Sequence, residues 1–162
     1  MKLKGSCHCG AVRFSLESRH YYPFNYCYCS ICRKTAGGGG YAINLGGDFS
    51  TMVVSGEADL GVYQAAITNP QTGATSHSPA KRHFCRHCGS ALWLWDPRWP
   101  ELVHPFASAM DTDLPVAPEH THLMLASKAK WVEPCIRRGD KQFDAYPDES
   151  LAQWRQRLGK GD

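Results

Sequence analysis

Short segments of alternating apolar and polar residues dominate the chain, as in β-strands that bury one face. The segment 11–16 is typical, because Val12, Phe14 and Leu16 alternate with polar residues. Other short segments, rich in β-branched and aromatic residues, are bounded by residues that favour turns. We predict strands at residues 22–26, 41–45, 49–54, 60–64, 91–95, 103–110 and 122–126.

One of these segments is bulky on both faces. Residues 91–95 are Ala-Leu-Trp-Leu-Trp, so large apolar side chains occupy both alternating sets of positions. A strand whose two faces are both buried lies inside a sheet rather than at its edge. We therefore predict a central strand here.

Clear helical spacing occurs near the C-terminal end. Leu151, Trp154 and Leu158 recur at steps of three and four residues and so share one helical face. Either Asp148 or Ser150 can cap the first turn. We predict a short helix that ends at the glycine after the last apolar position.

The size of the chain fits one domain, since 162 residues can bury a substantial core but not two independent ones. No repeat, low-complexity tract or linker divides it. We expect a mainly β domain over residues 1–134, and a tail over residues 135–162 that carries the short helix and packs on the same domain.

Charge and hydropathy narrow the possible partners. The formal net charge at pH 7 is +3, and the basic residues are scattered rather than aligned along one face. This argues against nucleic acid as the main partner and is compatible with a small anionic ligand. No apolar run approaches the ~20 residues that span a bilayer, and the first residues lack a secretory signal. We expect a cytoplasmic protein with no membrane partner; its oligomeric state is left open.

The sequence contains eight cysteines, which indicate a chemical role in addition to the fold. Seven of them occur in Cys-x-Cys or Cys-x-x-Cys spacing. Disulfides are rare in a reducing compartment, so these spacings favour metal ligands.

The segment 27–32 carries three cysteines in six residues. In an extended segment Cys27 and Cys29 point to the same face, and a helical turn over residues 30–35 brings Cys32 back toward them. Three thiolates leave one corner of a zinc tetrahedron vacant, which distinguishes catalytic zinc from structural zinc. We predict a catalytic zinc site at these three cysteines, with an open fourth position.

Two further pairs, Cys7 with Cys9 and Cys85 with Cys88, can close a second site as a structural zinc with four thiolate ligands. A glycine follows each pair directly, where positive φ can turn backbone N–H groups toward the sulfurs. The expected metal content is two Zn²⁺ per chain. Spacing does not exclude the alternative in which the first pair closes with two cysteines of the segment 27–32.

Four other features receive a structural interpretation. Cys135 has no neighbouring cysteine and is predicted to be a small buried apolar residue. His122 lies in a strand-like segment and is predicted to be hydrogen-bonded. Arg33 and Lys34 are interpreted as a solvated pair on a surface turn, and Gly37–Gly40 as a flexible loop.

Sulfur-rich zinc favours a particular reaction. Three thiolates leave the zinc unit with one negative charge, which weakens its action on bound water. Coordination instead lowers the pKa of a substrate thiol from ~8.5 until the thiol ionises at neutral pH. The resulting thiolate can attack an electrophilic carbon held beside it.

Three motifs together resemble the glutathione-dependent formaldehyde-activating enzyme and centromere protein V family. They lie at residues 5–14, 27–34 and 82–90, in the family's order and spacing, and residues 127–131 resemble its closing stretch. The resemblance implies a β-rich, zinc-stabilised, Mss-four-like fold of twisted antiparallel sheets. It also implies structural zinc at Cys7, Cys9, Cys85 and Cys88. It implies catalytic zinc at Cys27, Cys29 and Cys32.

The implied activity is the joining of glutathione to formaldehyde, which makes S-hydroxymethylglutathione and is a carbon–sulfur lyase reaction in reverse. The leading hypothesis is therefore a zinc-dependent enzyme of this type, with a small-molecule thiol, glutathione, as its partner. A non-catalytic zinc scaffold for protein interaction is the alternative. A third hypothesis is a redox protein in which Cys85 and Cys88 form a reversible disulfide.

Overall fold

Short β-strands make up most of the regular structure in the computed structural model, which describes residues 1–159. The strands are β1 (Lys2–Ser6), β2 (Arg13–Glu17), β3 (Asn25–Cys27), β4 (Ala42–Ile43), β5 (Gly47–Asp48), β6 (Val53–Ser55), β7 (Leu60–Tyr63), β8 (Ala66–Thr68), β9 (Thr75–His77), β10 (Lys81–Cys85), β11 (Ala91–Trp95), β12 (Leu102–Pro105), β13 (Thr121–Leu123) and β14 (Lys141–Gln142). The α-helices are α1 (Ser30–Thr35) and α2 (Leu151–Arg157). The mainly β prediction is confirmed.

The strands form four sheets, with orders β1-β2-β6, β5-β12-β11-β10-β7, β14-β13-β3-β4 and β8-β9. The bulky segment 91–95 is β11, the middle strand of the five-stranded sheet, as predicted. The pairs in three of the sheets are antiparallel. The β14-β13-β3-β4 sheet is mixed, because β13 runs parallel to both β3 and β14.

The main core lies between the β1-β2-β6 sheet and the five-stranded sheet. The alternation in residues 11–16 has the predicted sense, since Val12, Phe14 and Leu16 are buried while Arg13 is exposed. The aromatic ring of Phe14 contacts Trp93 of β11 edge to face, with ring centroids 5.0 Å apart. This contact joins the two sheets.

The predicted strand over residues 49–54 is only partly right. Residues Phe49–Thr51 form a 3₁₀ turn, and the strand is confined to β6. The carboxylate of Asp48 accepts hydrogen bonds from the backbone N and the hydroxyl of Ser50, at 2.9 and 2.7 Å. An acidic residue that caps in this way competes with strand pairing, and this local effect was not anticipated. The predicted strands 103–110 and 122–126 likewise end in 3₁₀ turns, at Ala107–Ala109 and Leu125–Ser127.

The C-terminal helix is confirmed as α2. Ser150 caps it, and its side chain and that of Gln153 form a reciprocal capping box. The buried indole of Trp154 stacks on Phe24, with ring centroids 3.7 Å apart. This contact packs α2 against the segment that leads into β3. Residues 160–162 of the predicted tail lie outside the described residues.

Across residues 1–159, no helix has both the length and the apolar character needed to cross a membrane.

Candidate metal centres

The first cysteine cluster is built by two turns that are far apart in sequence. Cys7 and Cys9 lie in the turn between β1 and β2, and Cys85 and Cys88 at the turn between β10 and β11. Their four Sγ atoms all lie within 4.8 Å of one another, with Cys7 to Cys9 at 3.5 Å and Cys9 to Cys85 at 3.7 Å. A zinc tetrahedron with Zn–S bonds of about 2.3 Å has sulfur separations of about 3.8 Å. The structure therefore brings together four sulfurs that could hold one zinc ion.

Backbone groups support negative charge in this cluster. The backbone N–H of Val12 donates to Cys7 Sγ at 3.2 Å. Gly10 and Gly89 have the predicted positive φ, 78° and 73°, directly after the second cysteine of each pair. Hydrogen bonds from the hydroxyl and backbone of Ser90 lower the pKa of the exposed Cys88 thiol to about 5. These contacts favour thiolates at Cys7 and Cys88, and the thiolate is the form that binds a metal.

The second cluster is built locally, where β3 passes into α1. Cys27 ends β3, Cys29 is the N-cap of α1, and Cys32 lies in its first turn. The Sγ atom of Cys29 accepts a hydrogen bond from the backbone N of Cys32 at 3.3 Å. The three Sγ atoms lie within 4.8 Å of one another. Within residues 1–159, no fourth Cys, His, Asp or Glu ligand atom joins these three at that distance.

The three cysteines are held in apolar surroundings. Cys27 and Cys32 are buried and Cys29 is partly exposed. Phe106 and Leu123 belong to the same core cluster. Hydrogen bonds with Cys27 and Cys32 lower the pKa of Cys29, and hydrogen bonds with Cys29 and Cys32, together with burial, raise the pKa of Cys27. Among the three thiols, Cys29 is therefore the one whose surroundings most favour the thiolate.

A cation from another sheet reaches this cluster. Arg82, on β10, places Nη2 at 3.6 Å from Cys32 Sγ and Nη1 at 3.5 Å from the hydroxyl of Thr35 in α1. Its positive charge offsets the negative charge that three thiolates would leave on a zinc unit. Sequence reasoning missed this role. Arg82 lies within a recognised motif, yet its distance from Cys32 in the chain hid the contact.

A cleft of about 700 Å³ lies beside the first cysteine cluster. Cys7 and His8 line one part of it, and Arg33 and Lys34 of α1 line another. None of the three cysteines of the second cluster lines the cleft, although two of its lining residues, Ala36 and Ala91, pack against the core that contains Cys27 and Cys32. Arg33 and Lys34, interpreted as a surface pair, are thus part of a concave surface.

The Gly37–Gly40 segment is more constrained than the predicted flexible loop. Gly40 has φ of +86°, and a Cβ there would collide with Val132. A Cβ on Gly37 would collide with the carbonyl of Tyr41. Gly38, in contrast, faces open space. Two of these glycines are therefore needed for close packing.

Two predictions about single residues had opposite outcomes. Cys135 is exposed rather than buried, because the segment after Pro134 runs irregularly over the surface before β14. His122 is buried and hydrogen-bonded, as predicted, with Nδ1 at 2.8 Å from the hydroxyl of Tyr28. Sequence reasoning also missed a third group of candidate ligands, His120 and Asp140 beside His122.

The fold and clusters together define a mainly β protein whose cysteine groups could bind metal ions, compatible with zinc. The chain belongs to the family described as glutathione-dependent formaldehyde-activating enzyme, whose model matches residues 2–126. It is 64% identical over 159 residues to a Halomonas elongata protein that is provisionally named a glutathione-dependent formaldehyde-activating enzyme, with 98% of each chain covered. A crystal structure of a Rhodobacter sphaeroides protein is similar in fold, with a TM-score of 0.51 and 25% identity over 86% of this chain and 98% of that one.

Proposed function

We propose that this protein is a zinc-dependent carbon–sulfur lyase-type enzyme that joins glutathione to formaldehyde. The observation that carries the proposal is the group of Cys27, Cys29 and Cys32, whose sulfurs converge without a fourth ligand among the described residues. A metal held there has a coordination position for an external thiol. Family membership and the name of the Halomonas elongata relative support the choice of glutathione and formaldehyde.

The two clusters have different proposed roles. Zinc held by Cys7, Cys9, Cys85 and Cys88 would be structural, because four thiolate ligands would join the β1–β2 turn to the β10–β11 turn. Zinc held by Cys27, Cys29 and Cys32 would supply Lewis acidity that favours ionisation of the substrate thiol.

The protein's own residues then position and stabilise the substrate. Arg82 is close enough to the trio to offset added thiolate charge. Glutathione carries net negative charge at neutral pH, so Arg33 and Lys34 in the cleft attract its carboxylates. The apolar residues around Cys27 and Cys32 limit access of bulk water to the reacting sulfur. These features favour a substrate thiolate at the three cysteines and anionic substrate groups beside Arg33 and Lys34.

The reaction needs no redox partner. The thiol loses its proton and its sulfur forms a bond to the carbonyl carbon of formaldehyde. The electron pair of the C=O π bond moves to oxygen, which takes up one proton from solvent. The sum of glutathione and formaldehyde is S-hydroxymethylglutathione, with every atom retained. The chemistry requires reduced thiols, so we place the protein in the cytoplasm.

A titration of cobalt-substituted protein with glutathione tests the proposal. We expect the thiolate-to-cobalt absorption to change on addition of glutathione and to stay constant with S-methylglutathione, which has no free thiol. The change should be absent in Cys29→Ser and present in Cys135→Ser, which alters an exposed cysteine outside both clusters. Faster formation of S-hydroxymethylglutathione than in buffer completes the test.

An unchanged cobalt spectrum at saturating glutathione would contradict the proposed enzyme. The same result together with two tightly held metal ions in the cysteine clusters would favour the non-catalytic zinc scaffold.

A further inference from the structure

Two histidines and one aspartate converge away from both cysteine clusters. His120 immediately precedes β13 and His122 lies within it, while Asp140 immediately precedes β14, the parallel neighbour of β13. Asp140 Oδ2 lies 3.6 Å from His120 Nδ1 and 3.5 Å from His122 Nε2. The three ligand atoms are all within 4.8 Å of one another.

These separations fit a shared cation better than direct hydrogen bonds. Hydrogen bonds from a ring nitrogen to a carboxylate oxygen are usually 2.7–3.2 Å long. Ligand atoms held about 2.0–2.1 Å from a tetrahedral zinc are separated by about 3.3 Å. The observed distances are close to the second value.

The strongest local signal is an unpartnered nitrogen. Among residues 1–159, no hydrogen-bond partner is found for His122 Nε2, although the side chain of His122 is only 1% exposed. Buried polar atoms are nearly always satisfied, so this nitrogen requires an explanation. Its neighbour Asp140 Oδ2, at 3.5 Å, is beyond the usual hydrogen-bond range.

The surrounding contacts hold the three side chains in place. The hydroxyl of Tyr28 is hydrogen-bonded to His122 Nδ1, so Nε2 is the ring nitrogen left near Asp140. Asp140 Oδ1 accepts from the backbone N of His120 at 2.8 Å, and Oδ2 accepts from the backbone N of Arg137 at 2.8 Å. The Arg137 guanidinium is also 3.3 Å from Oδ1, which is not the oxygen that lies near the two histidine nitrogens. Such outer contacts commonly orient metal-binding histidines and carboxylates.

We propose that His120 Nδ1, His122 Nε2 and Asp140 Oδ2 form a third divalent-cation site, separate from the thiol chemistry of the cysteine clusters. Two imidazole nitrogens and one carboxylate oxygen suit an ion such as Zn²⁺. His120 is partly exposed, so an ion can enter from solvent and keep a water ligand. The bound ion would link β14 to β13, the strand that also pairs with β3 beside the trio.

Cobalt binding to the intact, zinc-loaded protein tests this site. Wild-type protein, His120→Ala and the control His77→Ala are desalted, incubated with Co²⁺ alone, passed through a second desalting column and analysed for metal. His77 is an exposed residue of β9. We expect wild type and His77→Ala to retain one more divalent ion per chain, counting zinc and cobalt together, than His120→Ala, without new thiolate-to-cobalt absorption.

The choice of His120 keeps the test informative, because its side chain is partly exposed and its removal spares the buried His122. His120→Asn provides a second variant of similar size, and both should retain the wild-type circular dichroism spectrum and the zinc held by the cysteines. An equal total of zinc and cobalt per chain in wild type and the two His120 variants would overturn the proposal. A loss of bound metal in His77→Ala equal to the loss in His120→Ala would also overturn the proposal. Because glutathione takes no part, the result is independent of the proposed enzyme activity.

Discussion

The guanidinium of Arg82 lies 3.6 Å from the sulfur of Cys32, and so joins the five-stranded sheet to the three-cysteine cluster. A cation at this position favours any step that adds negative charge to the cluster, including ionisation of an incoming thiol. It is the residue outside the cysteines whose replacement we expect to reveal the chemistry most directly.

Replacement of Arg82 by leucine should raise the pH at which the substrate thiol ionises in the complex. We expect kcat/KM at pH 7 to fall about tenfold, the equivalent of one pKa unit, and the loss to shrink as pH rises. Rate measurements between pH 6 and 9 check this. Arg82→Lys should recover part of the rate, and Arg138→Leu, a change at an exposed arginine, should have no effect. A pH-independent loss would indicate a purely structural role.

Replacement of Cys29 by serine should remove the proposed catalytic metal while leaving the first cysteine cluster, which contains four cysteines, intact. We expect zinc content to fall by one ion per chain and turnover to fall at least 100-fold, since the open coordination position is lost. Elemental analysis and product formation provide the two measurements. Cys135→Ser is the matched control. Full activity in Cys29→Ser would exclude the proposed role of the trio.

The glycine segment offers a matched pair for stability. Gly40→Ala requires an L-residue to adopt φ of +86° and collides with Val132, so we expect a loss of about 1–3 kcal/mol. Gly38→Ala meets open space and should change stability by less than about 0.5 kcal/mol. Urea denaturation measures the free energy of unfolding of the two variants. A packed segment gives a lower value for Gly40→Ala than for Gly38→Ala, whereas a flexible loop gives equal values.

The buried carboxylate of Asp96 provides a test of pH dependence. Hydrogen bonds from Arg98, at 2.6 and 3.0 Å, hold the pKa of Asp96 below its usual range despite its burial. Ionised Asp96 therefore stabilises the folded protein fully above the pKa of about 3.9 that an Asp has in the unfolded chain. This stabilisation is lost as pH falls through the lower pKa of Asp96 in the folded protein. Asp96→Asn should cost about 1–3 kcal/mol at pH 7.

Urea denaturation of wild type and Asp96→Asn at pH 7, 5 and 3 measures this difference. The gap between the two proteins should be the same at pH 7 and 5 and smaller at pH 3. The comparison cancels acid release of metal from the cysteines, which affects both proteins alike. A gap that widens on acidification would contradict the argument.

Local patterns explain what the sequence could predict. The alternation at Val12, Phe14 and Leu16 gave the correct buried face, and the bulky segment 91–95 the correct central strand. The proximity of Cys27, Cys29 and Cys32 followed from their spacing, whereas the partners of Cys7 and Cys9 did not. Their grouping with the second pair depends on two turns meeting in space.

Longer-range contacts account for most of what was missed. Arg82 meets Cys32 only because the fold brings its side chain from β10 to α1, and Asp140 meets His122 only because β14 pairs with β13. Neither arrangement leaves a periodic signal. The strand β1 was also missed, since its short Lys-Leu-Lys-Gly-Ser segment contains a single large apolar residue. The exposure of Cys135 depends on an irregular segment that no pattern describes.

The parallel pairing of β3 with β13 also affects how the chain is made. Cys27 is in register with Leu123, and the backbone N of Tyr28 donates to the carbonyl of Leu123. A ribosome must therefore synthesise residues 33–122 before this support exists, which takes roughly 5–20 s at common elongation rates. Throughout that interval the three closely spaced thiols of the nascent chain lack the residues that later bury them. Oxidants and free copper or zinc ions can therefore reach sulfurs that are largely buried in the folded protein.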